Sequence, residues 1–153
     1  MATKSAPAVF RLLLPARDLE RSRRFFESLL GVRSRRVGGG RVYFNCGDVI
    51  LGVLDYSGAP KTGWPRVSEA IYFAVPNLEA VFRRAQKLKC LSKELLHDDP
   101  ESPLGAIRVR PWGERSFYAE DPSGNPLCFV DRATVFTGTR SQVAALARAT
   151  RRR

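Results

Sequence analysis

The chain is poor in the side chains that most metal-dependent and nucleophilic enzymes use. Its 153 residues include one histidine, His97, which stands in an acidic loop beside Asp98 and Asp99. A single histidine argues against a histidine-based metal site, and also against a Ser-His-Asp or Cys-His nucleophile arrangement. We therefore expect His97 to be a surface loop residue.

The cysteines do not suggest a cross-linked or zinc-bound fold. Cys46, Cys90 and Cys128 are odd in number, widely spaced and surrounded by apolar residues. This pattern is typical of reduced core thiols rather than of a disulfide framework or a zinc clip. A cytosolic redox environment is consistent with it.

Long apolar runs are also missing. No window approaches the roughly 18 unbroken apolar residues that a membrane span needs, and the basic N-terminus lacks the apolar core of a signal peptide. The sequence thus predicts a cytoplasmic protein with no membrane partner. With 44% hydrophobic residues, the chain is long enough to form one globular domain with a substantial core.

Acidic residues are scarce relative to basic ones, 15 against 26, which gives a net charge of +11. Residues 139–153 contain five arginines and no acid, so removing these five charges from +11 leaves +6. The other cations lie mostly on the predicted solvent faces of two helices, as is typical of solvated helix surfaces. No recognition-helix pattern and no alternation of aromatic and basic residues is present, so we do not expect nucleic acid as a partner.

What the sequence does contain is a duplication. The segment Leu14–Glu20 is echoed by Phe73–Glu79 at a constant offset of 59. In each copy an apolar run precedes a residue suited to capping a helix, Asp18 or Asn77, and an amphipathic stretch follows it. Two half-domains of about 60 residues that share one core are the simplest interpretation.

Hydrophobic periodicity and turn residues predict the elements of each copy as a strand, a helix and then three strands, with one further short strand, 92–96, in the second copy. The predicted strands are 9–14, 32–37, 41–45 and 49–54 in the first copy, and 70–75, 92–96, 107–111, 116–119 and 127–131 in the second. The predicted organisation is an N-terminal extension (1–7), a first repeat (8–55), a linker (56–68), a second repeat (69–132) and a basic C-terminal tail (133–153). In the tail, residues 139–150 predict a helix with a weak apolar stripe.

These features resemble a known family. The stretch Leu14–Glu20, and in the second copy the stretches Trp112–Phe117 and Asp121–Asn125, are similar to the vicinal oxygen chelate superfamily of glyoxalases, extradiol dioxygenases and bleomycin-resistance proteins. The two second-copy stretches are typical of the bleomycin-resistance branch. The resemblance spans residues 8–132 and implies an α+β fold, in which two tandem βαβββ repeats form a mixed-sheet half-barrel pair around a central cavity. It also implies a homodimer.

The resemblance further implies a divalent metal in that cavity, held by His, Gln or Glu side chains. The motifs place the four ligand positions of the superfamily at Arg11, Gly52, Ala70 and Cys128. Glycine and alanine offer no side-chain donor, arginine repels a cation, and one cysteine is not a metal site. Because function follows the site rather than the fold, we predict no metal and no other cofactor.

Strand alternation predicts which side chains share the cavity face with these positions, and the expected lining is apolar and aromatic with one cation. The candidate ligand-binding residues are Arg11, Leu13, Trp64, Tyr72, Trp112 and Cys128. For the two tryptophans, the alternative is an ordinary packing role. For Cys128, the alternative is that it is a small, buried hydrophobic residue. Arg11, as a buried cation, should meet a protein acid or an anionic ligand unless it faces solvent. Arg115 is expected to stabilise its hairpin.

The leading hypothesis is a metal-free protein that binds a small aromatic or anionic molecule, as sequestering antibiotic-resistance proteins do. Bleomycin-type binders are typically acidic, so this basic chain is not expected to bind that drug. One alternative is a metal-dependent lyase or dioxygenase of the same superfamily, or a metal-free catalyst built around Arg11 and Tyr72. Another is a basic protein that its arginine tail anchors to nucleic acid.

Overall fold

The structure of the protein is a computed structural model that describes residues 11–58, 70–137 and 139–151. The chain divides into two compact units, Met1–Val67 and Ser68–Arg153. Each unit contains a four-stranded mixed sheet and repeats the order strand, helix, three strands, so the predicted α+β duplication is confirmed. Among the described residues, no helix has the length and apolar character needed to cross a membrane.

The first unit forms an open sheet with the strand order β1-β4-β3-β2, in which β1 is parallel to β4 and the other neighbours are antiparallel. Its elements are β1 (Arg11–Ala16), α1 (Leu19–Leu30), β2 (Arg35–Val37), β3 (Arg41–Cys46) and β4 (Val49–Asp55). Asp18 caps α1 by accepting a hydrogen bond from Arg21 N at 3.0 Å. Gly31 ends the helix at φ 67°, a left-handed conformation that glycine adopts without strain.

One face of this sheet packs against α1. Phe44, Leu51 and Val53 are buried on that face, and the Phe44 ring lies 5.8 Å from the ring of Phe26 in α1. The strand predicted at 32–37 is shorter than expected, because Ser34 N donates to the Glu27 carboxylate at 3.2 Å instead of to a strand. Leu13, Tyr43 and Gly52 lie on the opposite face of the sheet.

The second unit has the strand order β5-β8-β7-β6, with β5 parallel to β8 and the other neighbours antiparallel. Its elements are β5 (Ile71–Val75), α2 (Leu78–Leu88), β6 (Arg108–Val109), β7 (Arg115–Glu120), β8 (Pro126–Asp131) and α3 (Arg140–Arg151). Asn77 caps α2 through a bond from Ala80 N at 3.1 Å. On the α2 side, Phe117 stacks on Phe129 at 5.3 Å and meets Phe82 at 5.2 Å.

The strand predicted at 92–96 is wrong. This stretch makes only two isolated bridges, from Leu91 to Ala119 and from Leu95 to Pro103. The loop folds back on itself instead: Leu104 N donates to Glu94 O at 2.9 Å, and Gly105 lies so close to Ser92 that a Cβ there would be 2.1 Å from the Ser92 carbonyl oxygen. The helix predicted in the tail is confirmed as α3, although it is mostly exposed.

Candidate functional site

A pocket of about 460 Å³ opens on the second sheet, on the face opposite α2. β5 and β8 supply its floor through Tyr72, Ala74 and Val130, which share that face by strand alternation. Trp112 and Phe136 add aromatic walls from the β6–β7 turn and from the segment after β8. Two of the candidate residues from the sequence, Tyr72 and Trp112, therefore line one pocket.

The walls of this pocket are held by Glu114, whose side chain is 7% exposed. One carboxylate oxygen accepts a bond from the indole Nε1 of Trp112 at 2.6 Å, and the other accepts from Phe136 N at 2.9 Å. Both oxygens are thus engaged by groups of the protein itself, and the indole plane is fixed. The acid positions aromatic rings within the pocket.

Two tyrosine hydroxyls lie side by side at the edge of the site. Tyr72 on β5 and Tyr118 on β7 lie opposite Cys128 of β8, one on each neighbouring strand. Their hydroxyl oxygens are 3.4 Å apart. The two rings meet edge to face at 6.2 Å. Burial, and then the hydrogen bond with Tyr72, raises the pKa of Tyr118 well above its usual value, so the Tyr118 hydroxyl is neutral at any physiological pH.

Cys128 is fully buried, as the sequence predicted for a core thiol. Burial raises the pKa of its thiol to about 12, and this effect outweighs the opposing hydrogen bonds from Tyr118 and Ser116. The reactive form of cysteine is the thiolate. A thiol with this pKa is not a nucleophile at neutral pH.

The buried arginine of the second unit is Arg110, which sequence reasoning missed. Its side chain is 2% exposed, and it donates to the carbonyl oxygens of Leu104 and Ala106 at 3.2 and 3.0 Å and to Ser116 Oγ at 3.2 Å. Its guanidinium also lies 5.5 Å from the Tyr118 ring centroid. Burial lowers its pKa from the usual value. Arg110 ties the loop before β6 to the sheet, and no periodic pattern in the sequence indicates its burial.

The two first-unit candidates, Arg11 and Leu13, lie on the same sheet face, as alternation predicted. Of the alternatives for Arg11, the structure shows solvent exposure: its side chain is exposed, and its guanidinium lies 5.8 Å from the Tyr43 ring centroid. Stacking on an aromatic ring leaves the charge hydrated, so the cost of burying it does not arise. Leu13 is 43% exposed.

Arg115 has the structural role that the sequence predicted. It forms salt bridges with Glu79 at the start of α2 and with Asp131 at the end of β8, the latter at 3.6 Å. Its backbone N–H donates to Thr134 Oγ1 at 3.0 Å. Arg115 therefore links the hairpin to the helix and to the following segment.

The comparison with known sequences decides the family. Residues 8–129 match the sequence model of the Glyoxalase/Bleomycin resistance protein/Dioxygenase superfamily. The chain belongs to this superfamily. The match spans nearly the whole segment in which the motifs showed the resemblance.

Solved structures of the superfamily share the fold. A lactoylglutathione lyase from Agrobacterium tumefaciens is 21% identical over 87% of this chain and 100% of its own, with a TM-score of 0.60. A bleomycin resistance determinant encoded on the transposon Tn5 is 18% identical over 82% of this chain and 98% of its own, with a TM-score of 0.59. A bleomycin-binding protein in complex with bleomycin is 19% identical over 82% of this chain and 98% of its own, with a TM-score of 0.55. No curated protein sequence matches the chain.

The residues at the positions that the motif resemblance assigns to the superfamily's metal do not fit a metal. Gly52 has no side chain, and the space where its Cβ would lie is taken by Leu13 Cδ2 at 2.4 Å and by the Tyr43 ring at 3.0 Å. The guanidinium of Arg11 repels a cation, Ala70 has no donor, and Cys128 is held as a neutral thiol. The described residues contain no group of three or more His, Cys, Asp or Glu side chains placed to hold a metal. Trp64, the remaining candidate, lies outside the described residues.

Proposed function

We propose that this protein binds a small planar aromatic molecule in the pocket of its second unit, without a metal and without transforming it. The observation that carries the proposal is the aromatic pocket itself. Its volume of about 460 Å³ falls within the range of roughly 300–1,000 Å³ usual for small-molecule sites. Tyr72, Trp112 and Phe136 offer flat faces for a ring to stack on or meet edge to face.

The polar groups around the pocket favour binding over chemistry. The Glu114 carboxylate already accepts two hydrogen bonds from the protein, and the Cys128 thiol has a pKa of about 12. A nucleophile needs an ionised form near neutral pH, and both oxygens of Glu114 already hold groups of the pocket walls in place. The exposed hydroxyl of Tyr72 then orients a ligand by hydrogen bonding rather than by proton transfer. The bleomycin-binding relative is a precedent for small-molecule binding on this fold.

The test uses the intrinsic fluorescence of Trp112 in a Trp64→Phe background, titrated with 2-naphthol, 2-naphthoate and N-methylquinolinium. We expect at least one probe to quench Trp112, and we expect Tyr72→Ala to weaken that binding by roughly tenfold. Tyr56→Ala is the matched control, because Tyr56 is a partly exposed tyrosine of the other unit; its affinity should be unchanged.

Two outcomes contradict the proposal. Failure of all three probes to bind removes the aromatic pocket as a site, and equal weakening by both tyrosine variants places the binding elsewhere. Chromatography of the recovered probe tests the enzymatic alternative, since the proposal requires that the molecule comes back unchanged. The proposal includes a homodimer, which the superfamily resemblance implies and which sedimentation equilibrium measures.

A further inference from the structure

The aromatic pocket of the second unit contains a negative charge. Among the described residues that line it, Glu114 alone is charged, and the others are aromatic or aliphatic. Its two carboxylate oxygens accept hydrogen bonds from N–H groups of Trp112 and Phe136, at 2.6 and 2.9 Å. An ionised carboxylate is a pure acceptor, and this bonding pattern fits that form. The acid therefore places a negative charge in the wall that carries two aromatic rings.

The hydrogen bonds of Glu114 do not neutralise this charge, because both donors are uncharged groups. In the described part of the chain, no lysine or arginine nitrogen lies within salt-bridge distance of its carboxylate. Arg115, the next residue, pairs instead with Glu79 and Asp131. The protein thus fixes the position of the carboxylate and leaves its charge uncompensated by an ion pair.

The buried cation of this unit, Arg110, directs its donors elsewhere. Its guanidinium donates to the carbonyl oxygens of Leu104 and Ala106 at 3.2 and 3.0 Å. Burial is the main reason that the pKa of Cys128 on β8 is raised, and among the charges that act on this thiol, Glu114 raises the pKa by more than Arg110 lowers it. On this face of the sheet, the acid outweighs the arginine.

We propose that the aromatic pocket selects a cationic ring, such as a quaternary pyridinium or quinolinium, over a neutral or anionic ring of the same shape. This inference rests on the proposed function and specifies the charge of the ligand. The faces of Tyr72, Trp112 and Phe136 attract a cation through their ring quadrupoles, and the Glu114 carboxylate adds a Coulomb attraction of the same sign.

The net charge of +11 does not oppose this local preference strongly. Glu114 is 7% exposed, whereas the arginines of α3 are exposed. Salt screens the interactions of buried charges much less than those of exposed charges. At physiological ionic strength, the charge that a bound ring experiences is therefore mainly that of Glu114.

The test compares three bicyclic probes: N-methylquinolinium, its neutral isostere 1-methylnaphthalene, and the anion 2-naphthoate. Quenching of Trp112 in the Trp64→Phe background gives the three dissociation constants. We expect the cation to bind about tenfold more tightly than the neutral isostere, and the anion to bind most weakly. Tighter binding of the neutral or the anionic probe would overturn the proposal.

A pair of variants then assigns the preference to one acid. Glu114→Gln removes the charge and keeps one acceptor, so we expect the preference for the cation over its isostere to fall to about twofold or less. Glu120→Gln is the matched control, because it removes an exposed acid of β7 in the same unit; its preference should be unchanged. If Glu114 acted only as a wall residue, its loss would weaken both probes by the same factor. That result, or an equal loss of preference in both variants, would overturn the proposal.

The two proposals fail in different ways. Absence of binding by every probe would overturn both, whereas equal binding of all three would keep the aromatic site and overturn only its selection of a cation. If Glu114→Gln does not fold, the three probes still decide the question in the protein that retains Glu114.

Discussion

Glu114 joins two parts of the second unit that are distant in sequence. It accepts bonds from Trp112, two residues away, and from Phe136, 22 residues away. Replacing it with alanine leaves both donors without the buried acceptor that they share, since Glu114 is only 7% exposed. Each unsatisfied buried donor costs roughly 1–3 kcal/mol.

We therefore predict that Glu114→Ala lowers the free energy of unfolding by about 2 kcal/mol or more and shifts the Trp112 emission to longer wavelength. Urea denaturation followed by circular dichroism measures the first effect, and fluorescence in the Trp64→Phe background measures the second. Glu120→Ala is the control, because Glu120 is an exposed acid on β7. An equal change in both variants would mean that Glu114 does not hold the pocket walls.

Single residues were predictable from the sequence only where a pattern determines their environment. The burial of Cys128 follows from its place in an apolar strand, and its place on the same sheet face as Tyr72 follows from alternation. Arg110 breaks the rule that arginines are exposed, because local carbonyl groups satisfy its donors. For Arg11, the strand position left both burial and exposure open, and in the structure its side chain is exposed beside the Tyr43 ring.

At the scale of elements, Glu79, Arg115 and Asp131 connect the start of α2 with β7 and β8. The hydrogen bond from Arg115 lowers the pKa of Glu79 below its ordinary value of 4.5. The folded chain therefore binds this proton less tightly than the unfolded chain does. The ion pair therefore stabilises the folded protein at pH values above 4.5, and this stabilisation is lost as the pH falls below that value.

We predict that Glu79→Gln reduces the acid sensitivity of the protein. The free energy of unfolding of the original chain should fall as the pH is lowered from about 6 to about 3, and the variant should show a shallower decline. Glu101→Gln provides the comparison, because it removes an exposed acid from a loop. If the slopes of the two variants match, the ion pair makes no contribution to the pH dependence.

The helices and central strands agree with the sequence because caps and alternation are local signals. Asp18 and Asn77 cap helices as predicted. The stretch 92–96 makes only isolated bridges, because the contact between Gly105 and Ser92 belongs to a compact loop rather than to a continuous ladder. The pocket wall at Phe136 depends on a contact across 22 residues, which no local pattern predicts.

For the whole molecule, the duplication places two different surfaces on two equivalent sheets. The open face of the second sheet carries an aromatic pocket with one internally bonded acid, and that of the first carries three arginines and no acid. The two faces derive from the same strand order. The two faces thus differ in the side chains that their strands carry and not in strand order.

The last prediction concerns metal in the intact protein. Arginine, glycine, alanine and a neutral thiol at the superfamily positions provide no set of donors, and Leu13 and Tyr43 fill the space beside Gly52. Protein purified without chelator, soaked in zinc, nickel, manganese or iron(II) and freed of excess should then retain less than about 0.1 metal ion per chain by elemental analysis. Cys128→Ser separates specific from adventitious binding, because Cys128 is the one superfamily position with a possible donor. Stoichiometric metal that this substitution removes would contradict the prediction, and it would make a metal-dependent lyase or dioxygenase the better account, since a bound divalent ion supplies the Lewis acid that the pocket otherwise lacks.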